Sequence, residues 1–154
     1  MTPATGTQSQ ALTGRLPHRR TVADAMVTEV KLHDARTTVR EIRALFGDEH
    51  VHAAIIVGDG TLLAVVDRAD LSPDDDENAL AVHLGGRRGR VIAPDADLAR
   101  AQQLMLDSGR RRLAVVDGAG KVRGLLCLKR TRSGFCSNRD VRARSTRGRV
   151  QDQV

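Results

Sequence analysis

Two pairs of residues stand at matching places in this sequence and have side chains able to do chemistry. Asp67 and Asp70 lie three apart just after the apolar stretch Ala64-Val65-Val66, and Cys127 and Arg130 lie three apart just after Gly124-Leu125-Leu126. A carboxylate accepts hydrogen bonds and is a good partner for a vicinal diol, and a helix start beside it presents unpaired N–H groups and a positive dipole end that favours phosphate. The same Asp-x-x-Asp spacing is close to a capping box, which closes a helix start without any ligand. Both readings stand for Asp67 and Asp70. In the second pair, Arg130 only donates, so it cannot take over an acceptor role. A cation in a first helical turn also opposes the dipole, at a cost of roughly a few tenths of a kcal/mol. Either this second place has lost the function of the first, which is the stronger reading, or Arg130 turns toward a phosphate with Lys129 and Arg132 nearby.

The remaining reactive residue types offer less. His50 and His52 alternate along a stretch of extended character and would face one side, but no third ligand accompanies them, so a metal site gives way to a pocket wall or surface role. The run Ser72-Pro73-Asp74-Asp75-Asp76-Glu77-Asn78 has oxygen ligands for a divalent cation without the Gly turn and spacing of a calcium loop, and reads as a solvated loop. Gly85-Gly86-Arg87-Arg88-Gly89-Arg90 has glycines and cations but no Lys-Ser/Thr at phosphate-loop spacing, and reads as a flexible linker. Cys127 lies in an apolar stretch and reads as a small buried hydrophobe. With Cys136 it is expected as a thiol, a disulfide or redox pair being the alternative. No nucleophile with a neighbouring base, metal cluster or phosphate-transfer motif appears, so the expectation is a protein that is not an enzyme and holds no metal.

These positions match because the chain says nearly the same thing twice. Ile55 to Val66 returns as Val115 to Leu126, with Ala64 falling on Gly124, and each copy reads apolar strand, turn, apolar strand. Upstream of each hairpin is an apolar pattern of helical period: Val39, Ile42, Leu45 and Phe46, then Leu98, Ala101, Leu104 and Met105. Thr37-Thr38 and Asp95-Ala96-Asp97 supply polar helix starts. Val30-Lys31-Leu32 and Val91-Ile92-Ala93 read as first strands, and a second helix is expected near Arg68 and near Leu128. The strand ends and helix starts then converge on one edge.

The unit resembles a CBS domain, and the pair resembles a CBS tandem, or Bateman module. The resemblance rests on Thr21-Val22-Ala23-Asp24-Ala25-Met26-Val27-Thr28 near the family's opening, on the Val-Val-Asp hairpin, and on the closing Ala64-Val65-Val66-Asp67-Arg68-Ala69-Asp70-Leu71. It covers roughly residues 21–132. It implies an α+β fold of two pseudo-symmetric β-α-β-β-α units packed sheet to sheet: residues 21–79 with the acidic linker, then residues 80–141. Residues 1–20 and 142–154 are expected as a flexible polar tail and a basic tail.

In CBS modules the junction after the last strand carries Ser or Thr, two residues, then Asp. The resemblance implies that Asp70 accepts from both ribose hydroxyls of an adenosine ligand. Asp67, at the Ser/Thr place, would add negative charge and favour adenosine or a cationic adenosyl compound over a polyphosphate. Adenine would rest on His52-Ala53-Ala54 and Arg112-Leu113-Ala114, where the family often has Pro at the places of Ala54 and Ala114. The candidate ligand set is thus Asp70, Asp67, His52, Ala53, Ala54, Arg112, Leu113, Ala114 and Arg130, with AMP, ATP or S-adenosylmethionine as regulatory ligand. The implied function is a stand-alone regulatory module that signals to a protein partner and assembles as a homodimer. A ligand-free interaction scaffold remains open.

Composition adds boundaries. At 154 residues the chain is the size of one domain, and with two Phe and neither Trp nor Tyr its core must be aliphatic and base-stacking platforms are largely excluded. No apolar run approaches the roughly 20 residues of a membrane helix, and Met1 to Arg20 lacks a signal's apolar centre, so a cytoplasmic protein without membrane contact is expected. Residues 21–120 hold twelve basic and seventeen acidic side chains, whereas residues 121–154 hold ten basic and two acidic. The basic character belongs to the ends, which leaves nucleic-acid association through phosphate contacts as a further alternative. Phe135 and Val141 are placed to dock a terminal helix on the sheet.

Overall fold

A computed structural model describes residues 19–143. The tail readings for residues 1–18 and 144–154 lie outside the described residues. The elements in order are α1 (Val22–Ala25), β1 (Leu32–Asp34), α2 (Val39–Leu45), β2 (Ala53–Gly58), β3 (Thr61–Asp67), a 3-10 turn (Arg68–Asp70), a second 3-10 turn (Ala81–His83), β4 (Val91–Ile92), α3 (Leu98–Ser108), β5 (Arg112–Val116) and β6 (Val122–Cys127). Residues 138–143 are helical.

Each repeat builds one three-stranded sheet, β1-β2-β3 and β4-β5-β6, with the first pair parallel and the second an antiparallel hairpin. The helices start where polar caps allow. The Thr38 hydroxyl accepts from the Glu41 N–H while Glu41 returns a bond to the Thr38 N–H, and the Asp97 carboxylate accepts from the Arg100 N–H. α3 ends at Gly109 with φ 72°, the left-handed conformation that suits glycine.

Each sheet covers its outer face with its own helix. Ile42 and Phe46 pack on Ala54, Ile56 and Val66, and Ala101 and Met105 pack on Leu113, Val115 and Leu126. The inner faces meet in a shared layer of Ile55, Leu62, Val65, Ala114 and Val116. The hairpin tips also join, with Leu62 N–H donating to Gly120 O at 2.9 Å and Val122 N–H to Gly60 O at 3.2 Å. The expected sheet-to-sheet α+β pair is therefore present.

Two segments cross between the sequence halves. Residues 21–28 serve the second sheet: Val22 lies in its helix-side core and Val27 exchanges bonds with Leu125 at 2.8 Å. Residues 79–86 serve the first: Ala81 lies in its core and Gly86 exchanges bonds with Val65. The expected flexible linker is thus docked, and a Cβ on Gly85 would run into the Val65 carbonyl oxygen.

Three local expectations need correction. The first strand lies at Leu32–Asp34 rather than Val30–Leu32, the register being set by Leu32 opposite Ile55. The helix expected near Arg68 is one 3-10 turn, because Leu71 is already extended and Pro73 follows two residues later. No helix begins at Leu128. Leu128 pairs with Phe135 across a tight loop whose Arg132 has φ 65°, and the helical turn comes only at residues 138–143, where Val141 packs beside Val27, Cys127 and Cys136.

Candidate functional site

β3 delivers Asp67 and the 3-10 turn delivers Asp70 to the edge of the crevice between the halves. The turn is fixed from behind by Arg68, which donates to Phe46 O at 2.8 Å and Asp48 O at 2.6 Å, capping the end of α2, and lies 5.4 Å from the Phe46 ring centroid. Asp70 Oδ2 accepts from the Asp67 N–H at 2.7 Å. The cap reading is therefore present in the geometry.

The rest of the Asp70 carboxylate is held by Arg90, which donates to Oδ2 at 2.5 Å and Oδ1 at 3.1 Å and also reaches Val65 O at 2.7 Å. Arg110 donates to Asp67 Oδ2 at 2.5 Å. Arg90 precedes β4 and Arg110 follows α3, so both guanidiniums come from the second repeat to the carboxylates of the first. Two carboxylates and two guanidiniums leave no net charge, which removes the electrostatic preference for a cationic ligand at Asp67 and Asp70. Burial pushes the Asp70 carboxyl up, but the Arg90 hydrogen bonds, the Asp67 N–H and the charges of Arg90 and Arg110 outweigh it and hold the group below 3.8. The Asp70 bond in turn raises Arg90 against the lowering effect of burial.

A cavity of about 260 Å³ opens at the pseudo-equivalent place in the other crevice. Its apolar wall includes Val30, Ile55, Leu125 and Cys127, and His52 and Arg112 stand at its polar side. His52 and Arg112 also line a recess of about 330 Å³ that holds Asp67 and Arg110. His33 borders the 260 Å³ cavity; desolvation first, and the Lys31 charge second, lower its pKa from 6.5 against the raising effects of Glu41 and Asp34.

The CBS-domain family model matches residues 90–130, the stretch from Arg90 through β6. No curated protein sequence matches the chain. Among solved structures, CBSX2 in complex with AMP is 26% identical, covering 80% of this chain and 94% of that one, with a TM-score of 0.61. The CBS domains of a transcriptional regulator from Streptococcus pneumoniae are 16% identical over 82% of this chain and 99% of that one, with a TM-score of 0.62. The cytosolic domain of the Mg2+ channel MgtE in complex with ATP is 20% identical over 82% of this chain and 52% of that one, with a TM-score of 0.60.

Residues 90–130 match a CBS domain, and the chain as a whole has the fold of a CBS-domain pair. Within this CBS pair the sequence-named residues divide into four groups. His52, Ala53 and Arg112 come together on the 260 Å³ cavity, and His52 and Arg112 meet Asp67 on the recess. Asp70 is engaged by Arg90. The side chains of Ala54, Leu113 and Ala114 are buried in the packed layers, at 2%, 3% and 0% exposure, because alternate residues of β2 and β5 face helix and partner sheet. Arg130 is exposed and borders neither cavity, since the loop after Leu128 replaces the helix that would have aimed it inward.

Sequence reasoning missed Arg90, placed in a linker, and Arg110. The available signal was charge: two carboxylates three residues apart at a half-buried edge require cations, and both repeats bring their strand and helix ends to that edge. The acidic run is a surface network. Asp75 accepts from the Ser72 N–H, Asp76 from the Asn78 N–H, and Glu77 pairs with Arg43 at 3.0 Å. Among the described residues no group of three His, Cys, Asp or Glu side chains is arranged to hold a metal, and no helix is long and apolar enough to cross a membrane.

Proposed function

We propose that this CBS pair is a regulatory module that takes an adenosine-containing ligand, of the AMP, ATP or S-adenosylmethionine class, between its halves and passes the change to a protein partner. The observation that carries the reading is the 260 Å³ cavity walled by Val30 and Ile55 of the first repeat and Leu125 and Cys127 of the second. A ligand there touches both repeats at once, so its binding free energy bears on how they sit together. The volume lies just under the roughly 300–1,000 Å³ of typical ligand pockets and suits a nucleoside or monophosphate better than a polyphosphate. An apolar slot for a base, with His52 and Arg112 at its polar side, fits that class. The complexes of CBSX2 with AMP and of the MgtE domain with ATP support the choice of adenine nucleotides. Asp70 enters as a ribose acceptor only when Arg90 releases it.

A thermal-shift panel of AMP, ADP, ATP, NAD and S-adenosylmethionine tests the reading. A ligand at a hundredfold excess over its Kd stabilises by about 2.7 kcal/mol, and Leu125→Trp, which fills the slot, should abolish the shift. A panel without any shift rejects the sensor. A ligand-free scaffold would then be the better reading, and the mutual satisfaction of Asp67, Asp70, Arg90 and Arg110 favours it. The homodimer belongs to the same proposal: Leu104 on α3 is 54% exposed and offers an apolar contact, and light scattering that gives a strict monomer at high concentration counts against it. Nucleic-acid association through the basic ends requires a binding shift that weakens with salt.

A further inference from the structure

Cys127 ends β6, and Cys136 lies on the segment that returns from the loop after it. Leu128 and Phe135 form an antiparallel bridge. The flanking bonds, Cys136 N–H to Cys127 O at 2.7 Å and Lys129 N–H to Gly134 O at 2.8 Å, place Cys127 and Cys136 directly opposite one another. Opposed residues in such a pair stand about 5.5 Å apart at Cα, within the roughly 4.4–6.8 Å that a disulfide spans. Their sulfurs are in contact at 2.8 Å, and the side chains are 3% and 5% exposed.

The surroundings hold this register, and each cysteine borders a cavity. Asn138 Oδ1 accepts from the N–H groups of Thr28 at 2.8 Å and Glu29 at 3.1 Å, and its Nδ2 donates to Thr28 Oγ1 at 3.0 Å, clamping the return segment. Val141 packs against the two cysteines and Val27. Cys127 borders the 260 Å³ cavity, and Cys136 borders a separate recess beside Phe135 and Asn138.

We propose that Cys127 and Cys136 are a reversible dithiol–disulfide site that reacts with peroxide. The Cys127 thiolate, on the cavity wall, attacks one peroxide oxygen; the O–O bond breaks, the departing hydroxide takes up a proton as water, and Cys127 is left as a sulfenic acid. The Cys136 thiolate then attacks the Cys127 sulfur, the S–S bond forms, and the displaced hydroxide leaves as a second water. The two thiols lose two electrons and two protons, and hydrogen peroxide is reduced to two waters. A small dithiol reverses the change by thiol–disulfide exchange. Oxidation ties the return segment covalently to β6, fixing the stretch of cavity wall shared by Cys127 and Val141. The site stands whether or not the cavity takes a nucleotide.

The test is intact-mass analysis of the reduced full chain before and after hydrogen peroxide, with iodoacetamide labelling in denaturant. The expected product is a monomer lighter by about 2 Da that takes no label, maps to a Cys127–Cys136 link, and recovers two labels after dithiothreitol. In Cys136→Ser the mass loss should vanish and a dimedone-reactive Cys127 should appear. Two labelled thiols after peroxide, oxygen adducts in place of the link, or links only between molecules would each overturn the proposal.

Discussion

Arg90→Met removes a guanidinium that donates to both oxygens of Asp70 and to Val65 O, while keeping much of the stem that packs beside it. Exposed ion pairs are worth about 0–1 kcal/mol, and breaking a buried pair costs about 3–5 kcal/mol. The two side chains are 18% and 15% exposed, which places the pair nearer the buried limit. Asp70 keeps the Asp67 N–H, and the Arg110 charge remains nearby, so the expected loss is about 2 kcal/mol. For a chain of this size that is a fall in Tm of about 6 °C. Urea denaturation of the wild type, Arg90→Met, Asp70→Asn and the double variant isolates the coupling, expected at about 1–2 kcal/mol. If the two losses add within about 0.5 kcal/mol, Arg90 does not occupy Asp70 in solution, and the account of a self-filled first crevice fails. A second readout comes from the ligand panel. Freeing Asp70 should enlarge the shift produced by adenosine compounds, and the added part should be lost again in the double variant.

Because Asp70 is held below its ordinary value, its stabilisation is complete above about pH 4 and is lost as pH falls through the folded-state value; urea midpoints of Asp70→Asn should decline less steeply than those of the wild type between about pH 4 and 2. His33 has the opposite charge logic. Its lowered pKa means that burial favours the neutral ring, so its contribution is intact above about pH 6.5 and falls as the unfolded chain gains the proton first; His33→Gln should flatten that part of the stability profile. Gly124→Ala would place a Cβ 2.5 Å from Val27 O and 3.0 Å from Met26 Sδ. It should cost about 1–3 kcal/mol and release the 21–28 segment, seen as faster hydrogen exchange at the Val27 and Leu125 amides, and unchanged exchange there would refute the docking described.

The features legible in the sequence are those set by neighbours in the chain. The hairpins follow from two apolar runs around Asp59-Gly60 and Gly118-Ala119-Gly120, and the helix starts at Thr38 and Asp97 follow from side chains that satisfy N–H groups three residues on. The duplication itself implied two sheets that could bury an inner face only against each other. The tertiary structure alone decided which long-range partners complete the crevices. Arg90 and Arg110 meet their carboxylates across 20 and 43 residues of chain, and a charge pattern carries no address at that distance. The exchange of covering segments, with Val22 and Val27 on the second sheet and Ala81 and Gly86 on the first, turns on strand edges that either segment matches in composition. Likewise the eight residues between Cys127 and Cys136 permit a helix or a return strand. The register of Leu128 against Phe135 selects the strand, and with it moves Arg130 out of the crevice and sets one sulfur against the other.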